Sequence, residues 1–95
     1  MMFTERIKQL REDRQMPQRV LAAELEIDTA TYCKIEKGER RVRREQVLII
    51  AKLLNADEKE LLVLWLADQV IEVVKGEKEL AGKVLKVAQN KMNEK

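Results

Sequence analysis

The sequence predicts an all-α protein, and three observations support that class. The chain of 95 residues contains only one proline and three glycines, so few residues interrupt regular structure. Apolar residues recur at helical spacing, and valine and isoleucine nowhere alternate with polar residues as they do in strands. A chain of this length forms one small domain with a limited core, to which a second subunit would add buried surface.

Six helices are expected, and most carry a start or stop signal. Met16 precedes Pro17 and is therefore biased away from the helical conformation, which separates the first two helices. Candidate start signals are Thr4, Asp28 and the capping-box pair Asp57 and Glu60, and candidate stop signals are Gly38 and Gly76. The expected helices span about 4–14, 18–25, 29–37, 44–54, 57–76 and 77–92.

Residues 18–37 carry the pattern of a helix-turn-helix. Two short helices are joined by three residues (26–28), and the second helix opens with small polar residues. Leu21, Ala22 and Leu25 of the first helix are expected to pack on Tyr32 and Ile35 of the second, because these positions share the inward faces. The pattern therefore predicts that the second helix presents its outer face to a partner.

That outer face suits the major groove of duplex DNA, which admits one α-helix. Short side chains at its N-terminal end allow close approach to base edges, and Lys34 can reach the O6 and N7 acceptors of guanine. Thr29 could instead cap the helix in place of Asp28. Glu36 would repel phosphate and is expected to be a structural hydrogen-bond acceptor. The predicted base-reading residues are Thr29, Ala30, Thr31 and Lys34.

Basic residues are concentrated at and just after the end of the second helix. Residues 34–44 include six basic and two acidic side chains and so carry +4, whereas the whole chain carries +2. Pro17 offers no side-chain cap, so the amides of residues 18–20 are expected to stay free for a phosphate. Such contacts position a protein on DNA without specifying sequence. The predicted phosphate-binding residues are Gln18, Arg19, Lys37, Arg40, Arg41, Arg43 and Arg44.

Composition excludes several function classes. The chain has no histidine and a single cysteine, Cys33, so no internal disulfide can form and no metal or other cofactor is expected. The commonest general base is missing and no catalytic motif is present, so an enzyme is not expected. Cys33 lies near Lys34 and Lys37 and could sense oxidants, but a small structural residue is the favoured interpretation.

No stretch of the sequence predicts a signal peptide or a membrane span. The longest apolar run, 61–67, is far shorter than the roughly 20 residues that a spanning helix needs. The start of the chain lacks the basic and apolar regions of a secretion signal. We therefore expect a cytoplasmic protein without a membrane partner, and no site for a small-molecule ligand is evident.

The predicted fifth helix is too rich in apolar residues for one side of a small core. The last helix could complete an intramolecular core against it, or a second copy could cover it as a homodimer. We favour the dimer, although both arrangements can hold together. The chain then divides into a DNA-binding domain at 1–64 and a dimerising helical extension at 65–95. The predicted interface residues are Leu61, Leu62, Trp65, Leu66, Val70 and Val74.

Three segments resemble the Cro/C1-type (Xre) helix-turn-helix family. They are 18–25 (QRVLAAEL), 27–28 (ID) and 32–38 (YCKIEKG), and the resemblance covers about residues 3–64. It implies a five-helix, lambda-repressor-like, DNA-binding and non-enzymatic fold, here with an additional C-terminal helix. By position, it makes Gln18 a phosphate contact and places Thr29, Ala30 and Lys34 at base-reading positions. The arginine-rich segment and residues 64–68 (LWLAD) more loosely resemble regulators found near restriction–modification genes.

Two departures from the family pattern are visible. Glu26 stands where the family often has glycine, and a left-handed glutamate costs about 1 kcal/mol. Residues 42–43 replace the usual Pro-Ser before the fourth helix, so a cap is lost and a charge is gained. The expected function is a transcription regulator that binds a palindromic operator as a homodimer. An antitoxin whose C-terminal helices mask a toxin is the alternative.

Overall fold

The computed structural model describes residues 1–94, so Lys95 of the predicted C-terminal extension lies outside the described residues. Six α-helices and no strand occupy this range, and the all-α prediction with an additional C-terminal helix is confirmed. None of these helices is long and apolar enough to cross a membrane. The helices are α1 (Met2–Asp13), α2 (Gln18–Glu24), α3 (Thr29–Glu36), α4 (Arg44–Leu53), α5 (Glu58–Val74) and α6 (Ala81–Met92).

One hydrophobic core joins the first five helices. Each contributes the residues that its helical spacing turns inward, and the stretch before α4 adds one valine. Pairs α2–α3, α4–α5 and α1–α5 make the main packing contacts. The largest fully buried side chains are Tyr32, Ile7, Leu21, Ile35, Ile50, Leu54, Leu61 and Val47. This core fixes the relative positions of α2 and α3, which form the predicted helix-turn-helix.

Four successive helices end in the same left-handed turn. In each, the second residue after the cap donates its amide to a carbonyl five residues back, as Ile27 does to Ala22 at 3.0 Å. The left-handed residue has φ of 51° at Gln15, 58° at Glu26, 78° at Gly38 and 52° at Asn55. Only Gly38 suits this conformation without steric cost. The expected left-handed Glu26 is therefore observed.

The helix starts confirm one predicted cap and correct another. Asp28 caps α3 by accepting from the Thr31 amide at 2.6 Å, so Thr29 does not replace it. Thr4 is not the cap of α1, which begins earlier. Instead, the buried carboxylate of Asp68 on α5 accepts from the amides of Met2 at 3.1 Å and Phe3 at 2.9 Å. A distant residue thus satisfies the free amides of α1.

The Asp57–Glu60 pair forms only half of a capping box. The Asp57 carboxylate caps α5 by accepting from the amides of Lys59 at 2.8 Å and Glu60 at 3.3 Å. The Glu60 side chain does not return to the Asp57 amide. It accepts from Nε of Arg6 on α1 at 2.8 Å, so it links α5 to α1 instead.

Helix α6 lies outside the core. None of its residues is buried, and its apolar side chains are exposed. The radius of gyration is 15.4 Å, against about 12 Å for a compact domain of this length. The alternative in which the last helix completes an intramolecular core is therefore wrong, because α6 contributes no residue to that core.

The left-handed glutamate gives a direct test of turn strain. We expect Glu26→Gly to raise the free energy of unfolding by up to about 1 kcal/mol, because glycine adopts positive φ without a Cβ clash. The matched change Ala23→Gly, three residues earlier in α2, should lower it by roughly 0.5–1 kcal/mol. Urea unfolding of both variants measures the difference. A loss of stability in Glu26→Gly would show that the turn is unstrained.

Candidate nucleic-acid interface

The outer face of α3 is free of the core along its length. Thr29, Ala30 and Lys34 are exposed, whereas Tyr32 and Ile35 on the opposite face are buried. Thr31 is half-buried at the edge of the exposed face, and its amide is occupied by the Asp28 cap. The structure thus brings three of the four predicted base-reading residues together on one surface and leaves Thr31 beside it.

A nearly buried carboxylate holds the helices beneath this surface. Glu36 of α3 accepts from Arg11 of α1 through both of its oxygens, at 2.7 and 3.0 Å. Their side chains are 3% and 12% exposed. Gln18 of α2 adds a third bond, from Nε2 to Glu36 Oε1 at 3.1 Å. The expectation that Glu36 is a structural acceptor is confirmed, and its carboxylate connects three helices.

Burial and hydrogen bonding shift the pKa of the Glu36 carboxylate in opposite directions. Burial favours the neutral form of Glu36, but the hydrogen bonds from Arg11 and Gln18 outweigh it and hold its pKa below the ordinary value. The same bond to Glu36 raises the pKa of Arg11, although burial opposes it. Burial, with a smaller effect of Glu36, raises the pKa of the Tyr32 phenol. The cluster therefore contains a charged pair and a neutral phenol.

Gln18 has a double role at the start of α2. Its side-chain amide carries two N–H groups, and Glu36 uses only one of them. The other can donate to a phosphate, together with the amides of Gln18 and Arg19, which have no acceptor within residues 1–94. The prediction that the Val20 amide is also free is wrong, because this amide donates to the Pro17 carbonyl at 3.1 Å.

Three arginines lie on the loop between α3 and α4, a fourth begins α4, and the loop is anchored at its centre. We call residues 39–43 with Arg44 the arginine loop. Val42 is buried in the core, and its carbonyl accepts from Nε1 of Trp65 on α5 at 3.0 Å. Gln46 accepts from the Arg43 amide at 2.9 Å, which holds the end of the loop against α4, although no side chain caps the first amides of that helix. All four arginine side chains are exposed.

Comparison with known proteins agrees with this geometry. Residues 3–64, about two thirds of the chain, match the sequence profile of the family described as helix-turn-helix domain. The chain belongs to the helix-turn-helix domain family. No curated protein and no solved structure matches it. The helix-turn-helix domain accounts for α1 to the first half of α5 and supports a DNA-binding function.

The predicted interface residues on α5 separate into three groups. Leu61 is fully buried in the core, and Val74 is buried outside that core, so neither presents a surface to a partner. Leu62 packs partly on the core, and Trp65 is engaged with the arginine loop. Leu66 and Val70 are 45% and 46% exposed. The structure therefore corrects Leu61 to a core residue and Trp65 to a support of the arginine loop.

Trp65 and Asp68 are the site-positioning residues that sequence reasoning missed. They lie one turn apart on α5, and each bonds to backbone far away in sequence. The apolar context of Trp65 concealed its polar group, whereas an acidic residue inside an apolar helix was a usable signal for Asp68. No cluster of potential metal ligands occurs within residues 1–94, and Cys33 is a free, half-buried thiol.

The lowered pKa of Glu36 predicts a stability loss in acid. Its charged form is favoured by folding, so this contribution is complete above the ordinary value of 4.5 and is lost as pH falls below it. We expect Glu36→Gln to be less stable at neutral pH and to show a shallower loss of stability below that value. Urea unfolding between about pH 7 and about pH 3 measures both.

The control for this experiment is Glu24→Gln, the same change at an exposed position. If the stability of Glu36→Gln falls as steeply in acid as that of the unaltered protein, a contribution from Glu36 is contradicted. If the acid loss of stability becomes equally shallow in both variants, the effect belongs to net charge.

The Trp65 hydrogen bond that anchors the arginine loop can be removed while an aromatic ring is kept at position 65. Trp65→Phe keeps an aromatic side chain and loses the Nε1 donor, so the loop is less fixed. We expect DNA affinity to fall roughly fivefold, the equivalent of about 1 kcal/mol for one hydrogen bond, with the preferred sequence unchanged. Gln69→Ala, one turn along α5, is the matched control. Unchanged affinity in a folded Trp65→Phe variant would contradict this role.

Proposed function

We propose that this protein is a Cro/C1-type transcription regulator that binds a palindromic operator as a homodimer. The observation that carries the proposal is the exposed face of α3, held by the Glu36 bonds and bordered by the arginine loop. Rigid support of a recognition helix is what direct reading of base edges requires, because hydrogen bonds to bases depend on precise placement.

Base recognition is assigned to the outer face of α3. Thr29 and Ala30 are short and lie at the helix tip, where the backbone can approach the bases closely. Thr29 can donate to a base edge, and a thymine methyl group can contact either side chain. Lys34, one turn further, can donate to guanine O6 and N7. Thr31, half-buried beside this face, is restricted to the edge of the contact.

Phosphate binding is assigned to two places on either side of α3. The free amides and side chain at the start of α2 serve one strand, with Gln18 oriented by Glu36. The arginine loop and Lys37 serve the other and supply most of the charge. If about five phosphates are neutralised per subunit, the slope of log affinity against log salt is about −4 to −5 per subunit.

A second copy of the chain is expected because one copy can make only a few base contacts. Three or four side chains give little sequence discrimination, whereas two half-sites about 34 Å apart multiply it. The exposed apolar side chains of α5 and α6 provide surface for such pairing. Control of nearby genes would then follow the protein's own concentration through the dimer equilibrium.

An antitoxin is the second candidate, and the exposed apolar face of α6 is what favours it. In that function α6 would cover part of a toxin, and DNA binding would regulate the pair. Expression with the neighbouring genes and copurification of a small basic protein at a fixed ratio would support this candidate. A purified regulator that remains a homodimer beside the same genes would contradict it.

Selection of bound sites from random duplexes tests the proposed function. We expect a two-fold symmetric consensus for the unaltered protein. Lys34→Ala should change the consensus at the position that Lys34 contacts. Arg41→Ala should weaken all sequences alike and reduce the salt slope by about one, because it removes one phosphate contact.

Glu45→Ala, an exposed residue at the start of α4, is the control and should leave the consensus unchanged. The absence of any consensus would contradict sequence-specific regulation. A consensus that Lys34→Ala leaves unchanged would remove Lys34 from base recognition and keep the rest of the proposal.

A further inference from the structure

A cleft lies between the arginine loop, the start of α1 and the second half of α5. Its volume is about 430 Å³, and small-molecule sites typically occupy roughly 300–1,000 Å³. The α5 wall of the cleft runs from Trp65 to Val73, so it lies beyond residues 3–64 that match the family profile. The cleft is therefore completed by the C-terminal extension of this chain.

Two contacts of α5 fix the other walls of the cleft. Nε1 of Trp65 donates to the Val42 carbonyl at 3.0 Å, which holds the arginine loop in place. The Asp68 carboxylate accepts from the amides of Met2 and Phe3, which holds the start of α1. Small-molecule sites are usually largely formed before a ligand binds, and these contacts give the cleft such a preformed shape.

Two arginines on one side of the cleft are available to a ligand. Arg40 and Arg41 line it, are exposed and have no ion-pair partner within residues 1–94. The acidic residues of the lining are already engaged, because Asp68 caps α1 and Glu72 pairs with Lys75 at 2.8 Å. A guanidinium group binds a carboxylate through strong, charge-assisted hydrogen bonds. The arginines therefore favour an anionic group on the ligand.

The rest of the lining favours a flat apolar body with a single negative charge. Trp65 and Val73 contribute apolar surface, and an indole packs well against a second aromatic ring in offset stacking. A phosphate group would bring up to two charges close to Asp68 and Glu72. A carboxylate brings only one and is repelled less.

We propose that this cleft binds an aromatic monocarboxylate, with its carboxylate on Arg40 and Arg41 and its ring against Trp65 and Val73. The sequence indicated no small-molecule site because these residues come from separate segments of the chain. The bound carboxylate occupies arginines that the proposed function assigns to DNA phosphates. Ligand and DNA therefore compete, and each lowers the affinity of the other by the same factor. The competition rests on the proposed function, whereas ligand binding does not.

Titration of the full chain without DNA tests the site. Trp65 is the only tryptophan, so its indole N–H gives one signal in a proton–nitrogen correlation spectrum. We expect β-naphthoate to shift this signal to saturation. Neutral β-naphthamide, of the same shape, should bind at least about tenfold more weakly, because it lacks the charge that the arginines bind.

Three results of this titration would count against the proposal. A signal that β-naphthoate leaves unmoved overturns the site. Equal affinity for β-naphthoate and β-naphthamide overturns the role of the arginines. Saturable binding of octanoate without binding of β-naphthoate overturns the aromatic assignment.

A change at Val73 tests the location without altering the arginines. Val73 is 80% exposed on the cleft wall, and Val63 is 64% exposed on the same helix outside the cleft. Val73→Gln should weaken β-naphthoate binding at least about fivefold, since the ring loses an apolar contact. Val63→Gln is the matched control and should bind as the unaltered protein does. Neither valine belongs to the core, so both variants should fold. Equal affinity of the two variants overturns the location.

Fluorescence anisotropy of a labelled consensus duplex measures the competition. Saturating β-naphthoate should raise the dissociation constant for DNA at least about tenfold, because phosphate contacts are lost. Sodium acetate at the same concentration controls for salt and should have little effect. Val73→Gln should bind DNA normally and lose the response to β-naphthoate. DNA affinity that saturating β-naphthoate leaves unchanged overturns the competition.

The outcomes separate this inference from the proposed function. Saturable binding of β-naphthoate by a protein that selects no DNA sequence supports the cleft and overturns the regulator. A symmetric DNA consensus from a protein that does not bind β-naphthoate overturns the cleft and leaves the regulator intact.

Discussion

The Glu36 carboxylate is the constraint on which the packing of the helix-turn-helix depends. It lies at the end of α3, and its oxygens accept from Arg11 on α1 and Gln18 on α2. A carboxylate with so little contact with water is stable only when it is paired and hydrogen-bonded. Its partners must therefore remain in place, and the angle between α2 and α3 is fixed as a result. The exposed face of α3 and the Gln18 side chain at the start of α2 are positioned by the same group.

Helix α5 extends this control beyond the helix-turn-helix. Its inner face fills the core through Leu61, bonds to the arginine loop through Trp65 and caps α1 through Asp68. Its outer face carries Leu66 and Val70, which are exposed. One helix thus contacts the core, α1 and the arginine loop.

Much of the fold could be predicted because its signals are local. Helical spacing identified all six helices, Asp28 identified the start of α3, and the family resemblance covered the residues that the family profile matches. The predictions that were wrong concern contacts between residues far apart in the sequence. Thr4 was a plausible cap for α1, but Asp68, far away in sequence, performs that function. Glu60 fits a capping box, yet its side chain pairs with Arg6.

The sequence alone determined the all-α class, the helix-turn-helix at 18–37 and the basic segment that follows it, because each is a pattern of neighbouring residues. Only the tertiary structure decided which side of the apolar fifth helix is buried. Leu61, Trp65 and Leu66 are all apolar residue types in the sequence. In the folded chain, Leu61 is buried in the core, the Trp65 indole donates to the Val42 carbonyl, and Leu66 is exposed to solvent. Burial is a property of the assembled helices, so composition could not assign it.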